Sequence, residues 1–327
     1  MDELDGPVAV IPHSNPDGDA IGSAYALAVV LKNAGKEVKV ITPNDYPAFL
    51  SWLNGEVEIL NYLKNKSKSG KYLDSCKVAF CVDFNEPGRV DEMEQALSAY
   101  GGTRILVDHH PFPADFCDLV VSEPTYSSSA ELVYDLVIAA GWEQYLDKRA
   151  AEALYMGIMT DTGSFSYSIS RPDLYRVLSH LMEFGINAEN IHTRVYDNFS
   201  SDRFRLMGYC LLHKMVILTE YRTAYIAITA NELKMFNFTP GDTEGFVNIP
   251  LSIQDIVFSA LFIERENYVK ASFRSKGSFP SNAFSSSHFN GGGHLNAAGG
   301  DSRQSLEKVI EQFTQLLPDY LHLLENA

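Results

Sequence analysis

The first half of the chain alternates short apolar runs with longer amphipathic stretches. The runs are aliphatic or β-branched and are bounded by polar or turn residues, which predicts strands; they are PVAVIPH, KEVKVIT, CKVAFCVD, TRILVDHH and DLVVS. Two intervening stretches, DAIGSAYALAVVLKNAG and GRVDEMEQALSAYGG, have helical spacing and end at glycine. This order predicts an α/β fold in which a mostly parallel sheet carries helices on both faces.

The pattern changes in the second half. From about Ala130 to Gly185 the apolar spacing is mainly helical, and residues 186–214 form a polar, helical connector. A second sheet is predicted beyond it, from the strand-like runs MVILTE, TAYIAITA, DIVFSALFIERE and YVKASFRS. A closing helix is predicted over SLEKVIEQFTQLLPDYLHLL, and a loop over the Ser/Gly-rich SNAFSSSHFNGGG. We expect a first domain at 1–185, a connector at 186–214 and a smaller α/β domain at 215–327.

Composition and charge narrow the classes of function. The chain is 46% hydrophobic and 21% charged, as globular proteins are, and no apolar run approaches the ~18 residues of a membrane span. The opening MDELDGPVAV lacks the features of a secretory signal, and the four cysteines form no CxxC pair, so we expect a cytoplasmic protein with reduced thiols. A formal charge of -16 argues against long duplex nucleic acid as a partner, but allows short phosphorylated ligands if metal ions supply positive charge.

Polar side chains follow three predicted strands and one predicted helix. In an open α/β sheet, ligands gather outside the carboxyl ends of the strands, so we expect these groups in one crevice. Imidazoles and carboxylates together suit Mn²⁺ or a similar divalent ion, and two ions sharing an Asp would serve phosphoryl chemistry. The residues are His13, Asp17, Asp19, Asp83, Asp108, His109, His110 and Asp161.

Each of these residues also has a purely structural interpretation. NPDGD on its own is typical of a solvated turn, and an Asp that ends a strand is often a helix cap. Asp161 alone would be a capping or turn residue. The metal hypothesis depends on the coincidence that four such segments each follow a predicted strand or helix.

The four segments HSNPDGDAIGS, VDFNEPGRV, VDHH and TDTGSF, in that order, closely resemble the motifs of the DHH phosphoesterase family. In the second half, FRS and GGGHLNAAGG resemble the DHHA1 substrate-binding domain. The subgroup with this layout is similar to nanoRNases (oligoribonucleases) with 3'-phosphoadenosine-5'-phosphate (pAp) phosphatase activity, and to enzymes that cleave pApA.

The resemblance implies a role for each motif residue. Two Mn²⁺ ions are implied, with Mg²⁺ or Co²⁺ as substitutes: His13, Asp17 and Asp83 hold one, and Asp19, Asp83, His109 and Asp161 hold the other. The implied catalytic residues are Asp83 as the bridge, His110 at the substrate phosphate and Asp108 as the residue that orients a ligand. The implied substrate-binding residues are Arg274, Gly292, Gly293 and His294.

The expected activity is hydrolysis of short 5'-phosphorylated oligoribonucleotides, including pApA, or of the 3'-phosphate of pAp. Two alternatives remain: a pyrophosphatase or exopolyphosphatase with the same metal residues, and a sensor that binds a nucleotide without cleaving it. Read without the family, GGGH is typical of a flexible loop, and Arg274 of a solvated surface residue. We expect no membrane partner, and a homodimer is compatible with the resemblance.

Overall fold

A computed structural model describes residues 6–327. The chain divides into two compact units, one ending at Asn198 and the other beginning at Phe199. The predicted connector, 186–214, therefore contributes helices to both units. None of the helices among the described residues combines the length and the apolar character that a membrane crossing requires.

The first unit contains a six-stranded sheet in which every neighbouring pair is parallel. The strands are β1 (Val8–Pro12), β2 (Val38–Thr42), β3 (Ile59–Asn61), β4 (Val78–Val82), β5 (Thr103–Asp108) and β6 (Leu119–Ser122). Their order in the sheet is β3-β2-β1-β4-β5-β6. The predicted α/β class is confirmed, and the order of the strands reverses between β1 and β4.

Helices cover both faces of this sheet. Because successive strand residues face opposite sides, Val8 and Val10 join one apolar cluster while Ala9 and Ile11 join another. The α-helices are α1 (Gly18–Asn33), α2 (Lys66–Ser75), α3 (Glu94–Ala99), α4 (Ser129–Ala139), α5 (Lys148–Asp161), α6 (Pro172–Glu183) and α7 (Ala188–Tyr196). Short 3₁₀ helices occupy Ala48–Leu53, Pro87–Met93 and Glu143–Tyr145.

The second unit contains a mixed six-stranded sheet of order β11-β12-β10-β9-β8-β7. Its strands are β7 (Met215–Leu218), β8 (Thr223–Ile228), β9 (Phe258–Glu264), β10 (Val269–Ser275), β11 (Gly292–His294) and β12 (Ala297–Ser302). Only β8 and β9 pair in parallel among the described neighbours. The α-helices are α8 (Ser201–Tyr209), α9 (Ala230–Met235), α10 (Ser281–His288), α11 (Leu306–Leu316) and α12 (Leu321–Glu325). A π-helical turn spans Cys210–Lys214, and 3₁₀ turns span Thr219–Tyr221, Phe246–Ser252 and Leu317–Tyr320.

The loop predicted over SNAFSSSHFNGGG is wrong. The stretch forms α10 and the start of β11. Serine has a modest helix propensity, but burial of Phe284 and Phe289 in the aromatic core of the second unit outweighs it. The Ser285 hydroxyl then donates to the Gly299 carbonyl at 2.7 Å, so a polar residue of this helix is also satisfied.

Candidate metal centre

The polar residues gather where the strand order of the first sheet reverses, which is the usual ligand crevice of an open α/β sheet. His13 follows β1, Asp83 follows β4, and β5 ends at Asp108. Asp17 caps α1 through a 3.0 Å bond from the Ala20 N–H, so its structural interpretation is also correct. Capping does not remove Asp17 from the cluster, because a carboxylate oxygen accepts more than one interaction.

Asp83 is held in a strained conformation at the centre of this crevice. Its φ of +66° is left-handed, a region that Asp and Asn tolerate better than other non-glycine residues. Its N–H donates to the Val107 carbonyl at 3.0 Å, which fixes the turn. The carboxylate Oδ2 lies 3.4 Å from His13 Nε2, and Oδ1 lies 3.7 Å from His109 Nε2. One carboxylate therefore faces both imidazoles, one oxygen to each.

The two histidines are oriented by backbone carbonyls. His13 Nδ1 donates to the Ser14 carbonyl at 2.8 Å, and His109 Nδ1 donates to the Tyr126 carbonyl at 3.2 Å. With Nδ1 engaged, Nε2 of each ring faces a carboxylate, so a divalent cation at either place could be bound by imidazole and carboxylate together. Among the groups whose ligand atoms lie within 4.8 Å of one another, one joins His13, Asp17 and Asp83, and another joins Asp19, His109 and Asp161. Their donor chemistry and spacing fit divalent cations.

Sequence reasoning missed a serine that links three of these residues. The Ser129 N–H donates to Asp19 Oδ2 at 2.7 Å, and the next N–H, of Ala130, donates to Oδ1 at 2.9 Å. The Ser129 hydroxyl donates to Asp83 Oδ1 at 2.8 Å and accepts the N–H of His109 at 3.3 Å. The start of α4 thus holds two carboxylates and one histidine in a fixed arrangement.

Glycines bring α1 and α5 close enough to place Asp19 near Asp161. A Cβ on Gly22 would lie 2.6 Å from the Ala153 carbonyl oxygen, and one on Gly157 would lie 3.0 Å from Asp19 Oδ1. Any larger residue would force the helices apart. Asp161, expected in a turn, is instead the last residue of α5, and its Oδ2 lies 3.5 Å from His109 Nε2.

The carboxylates of the cluster differ in their affinity for protons. Burial alone would raise the pKa of Asp83, but contact with His13 and the nearby imidazoles hold it well below its usual range. Burial, and then the charges of Asp83 and Asp161, raise the pKa of Asp19 well above its usual range. Desolvation, opposed by His109 and reinforced by other carboxylates, raises the pKa of Asp161 to about 6. The cluster holds more negative charge than its histidines compensate, which favours cations.

His110 carries positive charge beside this cluster. Although burial would lower its pKa, a 2.7 Å bond from Nδ1 to Asp108 Oδ1, together with the charge of Asp83, raises the pKa to about 9. The Asp108 side chain is fully buried, and its Oδ2 has no hydrogen-bond partner within the described chain. Asp108 therefore orients His110, and the imidazolium can neutralise an anion in the crevice.

Arg89 is a second residue that sequence reasoning passed over, although it lies in the segment VDFNEPGRV. Its carbonyl accepts the Ser14 N–H at 2.7 Å, which ties its backbone to the residue after His13. Its guanidinium is close enough to His13 and His110 that its charge opposes the rise in pKa that the neighbouring carboxylates cause in both histidines. An exposed cation beside two crevice histidines is suited to contact a phosphate oxygen. A basic residue within a motif segment is the signal that could have found it.

The predicted substrate-binding residues of the second unit lie on adjacent strands. Arg274 of β10 is paired with Ala297 of β12, and Ala297 is paired with His294 of β11. Directly opposed residues share a face, so Arg274 and His294 belong to the same face, roughly 10 Å apart at the backbone.

The two predicted glycines differ from each other. Gly293 has a φ of +136°, and a Cβ there would lie 2.5 Å from the Ala297 carbonyl oxygen, so strand packing alone requires glycine. A Cβ on Gly292 would meet no atom within 4 Å. Gly292 is therefore the residue at which a missing side chain leaves open space.

Residues 7–158 match the model of the DHH family, N-terminal domain, and residues 223–322 match that of the DHHA1 domain. The bifunctional oligoribonuclease and PAP phosphatase NrnA of Thermus thermophilus is 30% identical over 313 residues, which cover 94% of this chain and 89% of that protein. The chain belongs to the DHH family. Another DHH relative, the protein of the same name from Bacillus subtilis, is 26% identical over 88% of this chain and 86% of its own length.

A solved DHH relative has the same fold. The crystal structure of an exopolyphosphatase-related protein from Bacteroides fragilis is 41% identical, with a TM-score of 0.94, and covers 99% of this chain and 95% of that one. The predicted DHH/DHHA1 resemblance is confirmed, and so is the expected class of enzyme. The protein is a phosphoesterase of a metal-dependent family, with a candidate cluster for the metal.

Proposed function

We propose that this chain hydrolyses short 5'-phosphorylated oligoribonucleotides, the 3'-phosphate of pAp, or both, with two Mn²⁺ ions as cofactors. The observation that carries the proposal is the Asp83 carboxylate, whose two oxygens face His13 and His109 and which belongs to one of the two ligand groups. The names of the Thermus and Bacillus relatives, which the chain covers almost entirely, supply the substrate class.

The proposed ligands are His13, Asp17 and Asp83 for one cation, and Asp19, Asp83, His109 and Asp161 for the other. Cations at these ligands would activate a water nucleophile and neutralise charge on the phosphate. The chain itself positions the ligands: Ser129 and Ala130 fix Asp19, and Ser129 also fixes Asp83. Mg²⁺ and Co²⁺ are the expected substitutes, since they accept the same oxygen and imidazole donors.

His110 is proposed to bind a phosphoryl oxygen. Its pKa of about 9 keeps the imidazole protonated at neutral pH, and Asp108 holds the ring through Nδ1, so Nε2–H is the proposed donor to the phosphate. As charge builds on the phosphoryl oxygens in the transition state, this fixed donor strengthens its bond without reorganising. Arg89, whose charge reaches both His13 and His110, is proposed to assist.

Arg274, Gly292, Gly293 and His294 are proposed to bind the substrate in the second unit. Arg274 and His294 provide cationic or hydrogen-bonding groups on one face of the sheet, with the open surface of Gly292 on the same face. Such a surface suits a phosphate and the sugar attached to it. The acidic chain offers little to hold a long polyanion, which supports a preference for short substrates.

One further candidate is supported by a specific comparison. The Bacteroides structure is described as exopolyphosphatase-related, so inorganic polyphosphate is a second candidate substrate. The proposed metal ligands would serve either reaction. Nucleotides and polyphosphate would be distinguished by whether the protein binds groups other than phosphate. The cytoplasmic location and the homodimer stay predictions, supported by the composition and the family respectively.

The test is a side-by-side assay with Mn²⁺ that offers pAp, pApA, a 5'-phosphorylated RNA trimer, a long RNA, pyrophosphate and polyphosphate. Products would be separated by chromatography and released phosphate measured. We expect turnover of the short nucleotides, with the long RNA and the inorganic substrates left intact. Cleavage of polyphosphate alone would replace the proposal with the second candidate, and tight nucleotide binding without turnover would indicate a sensor.

A further inference from the structure

An exposed aromatic residue lies directly after the histidine pair. Phe112 is 88% exposed, more than any other large hydrophobic side chain of residues 6–327. Exposing a phenyl ring to water is unfavourable, and most phenylalanine side chains among the described residues are buried. A polar residue at this position would avoid the cost, so the folded state of this chain gives no reason for the phenylalanine.

The backbone of Phe112 is also unfavourable for this residue type. Its φ is +58°, in the left-handed region where Asn, Asp and Gly are common and bulky residues are rare. Proline stands on both sides, at 111 and 113, which limits the conformational freedom of the backbone at Phe112. The chain keeps a ring where both solvation and backbone conformation favour another residue, a combination that is typical of functional positions.

Hydrogen bonds tie the turn that contains Phe112 to the segment that follows β4, close to the candidate metal cluster. Asn85 Nδ2 donates to the Pro111 carbonyl at 2.8 Å, and the Ala114 N–H donates to the Asn85 carbonyl at 2.7 Å. Asn85 is two residues beyond Asp83, and Phe112 is two residues beyond His110. Two residues of extended chain span at most about 7 Å, so the Phe112 backbone lies at the rim of the crevice.

We propose that Phe112 is a stacking surface for a nucleobase of the substrate. The inference rests on the proposed function: a base joined through its ribose to a phosphate at His110 is within reach of a ring at the rim. An aromatic face stacks on any base, so it contributes affinity without sequence preference, as degradation of mixed short RNA requires. Phe112 thereby favours nucleotides over pyrophosphate and polyphosphate, which have no base.

A protein partner at Phe112 is the competing explanation, and the surroundings disfavour it. Stable interfaces bury roughly 800 Å² on each partner, far more than one side chain offers. Of the exposed residues that follow, Pro113 and Ala114 are small and Asp115 is charged, so none of the three adds a second large apolar side chain. A nucleobase is a ligand of the size that one ring can hold.

The kinetic test compares Phe112→Asn with Phe112→Trp. Asn removes the ring but tolerates the left-handed backbone, so thermal stability should not fall. We expect the KM for pApA to rise about tenfold in Phe112→Asn with kcat nearly unchanged, and Phe112→Trp to retain or lower the KM. Tyr175→Ala, which removes an exposed aromatic of α6, serves as the matched control and should behave as the wild type.

The same variants would be assayed on an analogue of pApA that carries abasic riboses. Phe112→Asn should weaken turnover of the abasic analogue much less than that of pApA. An equal loss on both substrates, or no loss on pApA, would overturn the proposal while leaving the proposed phosphoesterase function intact. A change of oligomeric state in Phe112→Asn without a change in KM would also overturn it and would indicate a protein contact.

A binding measurement separates this inference from the proposed function. Tryptophan emission of Phe112→Trp would be titrated with AMP and with ribose 5-phosphate in the presence of Mg²⁺, and the wild type, which contains Trp52 and Trp142, would provide the background. Quenching by AMP and not by ribose 5-phosphate supports stacking even if no nucleotide is hydrolysed. Absence of quenching at saturating AMP overturns it.

Discussion

The polar residues at the edge of the first sheet are buried and hydrogen-bonded, whereas those on the face of the second sheet are half-buried. Asp19, Asp83 and His109 are each at most 4% exposed, and hydrogen bonds from backbone or Ser129 fix them. Arg274 and His294 are half-buried on neighbouring strands, where register and small residues define the surface. Metal chemistry requires ligands placed to a fraction of an ångström, whereas substrate binding tolerates an open surface.

The largest expected effect comes from Asp83, the residue proposed to bind both cations. Asp83→Asn keeps a side chain that tolerates φ of +66° but removes the charge, so the fold should persist. We expect activity to fall on the order of a thousandfold or more and binding of both ions to weaken, because this carboxylate is the proposed ligand of each. Turnover and metal content per chain would be measured together.

Asp74→Asn, an exposed carboxylate of α2, is the control and should change neither quantity. Near-normal Mn²⁺-dependent turnover in Asp83→Asn would contradict the shared-ligand arrangement. Loss of a single ion with the other retained would show that Asp83 serves one site only.

The difference between the regions also explains what could be predicted from sequence. The crevice follows from a simple rule: parallel strands end at one edge, so the residues after β1, β4 and β5 meet there. The face of the second sheet depends on the pairing of β10, β12 and β11, and nothing in FRS or GGGH reveals that register.

Residues that support the candidate ligands were harder to predict than the candidate ligands themselves. In the run SSSAELV, Ser128 caps α4 through the Glu131 N–H, and capping is the expected role of every serine at such a place. The role of Ser129 depends on Asp19, which is far away in sequence, so only the tertiary structure reveals it. Likewise, α10 was predicted as a loop because the burial of its phenylalanines is a property of the assembled core.

Ser129→Ala should have the second largest effect. It removes one donor to Asp83 and one acceptor for His109 while leaving the Ser129 N–H on Asp19. Partners of metal ligands typically contribute about 10- to 100-fold in metal affinity or activity, and we expect a loss in that range. Calorimetric titration with Mn²⁺ and a thermal melt of the metal-free protein would separate affinity from folding.

Ser127→Ala is a closely matched control. Ser127 is 2% exposed in the same segment, but its hydroxyl has no hydrogen-bond partner within residues 6–327. Its replacement should change Mn²⁺ affinity less than twofold. Equal losses in the two variants would mean that the segment as a whole, and not the Ser129 hydroxyl, supports the ligands.

Arg274→Ala tests the other side of the comparison. We expect the KM to rise about tenfold, because a charge-assisted bond to phosphate is lost, while metal content and thermal stability stay at wild-type values. Arg274→Lys should recover part of the loss, since it restores the charge without the planar fork. A fall in bound metal would show that Arg274 supports the metal centre and not the substrate.

The smallest expected effect separates packing from binding at the glycine run. Gly293→Ala should destabilise the protein by more than ~1 kcal/mol, because its φ and the Ala297 carbonyl both oppose a Cβ. Gly292→Ala has open space for its methyl group, so stability should change by less than ~0.5 kcal/mol. If the substrate approaches the backbone there, the KM of Gly292→Ala still rises a few-fold with kcat unchanged. An unchanged KM would remove Gly292 from the binding surface and leave the run explained by strand packing, with substrate contact resting on Arg274 and His294.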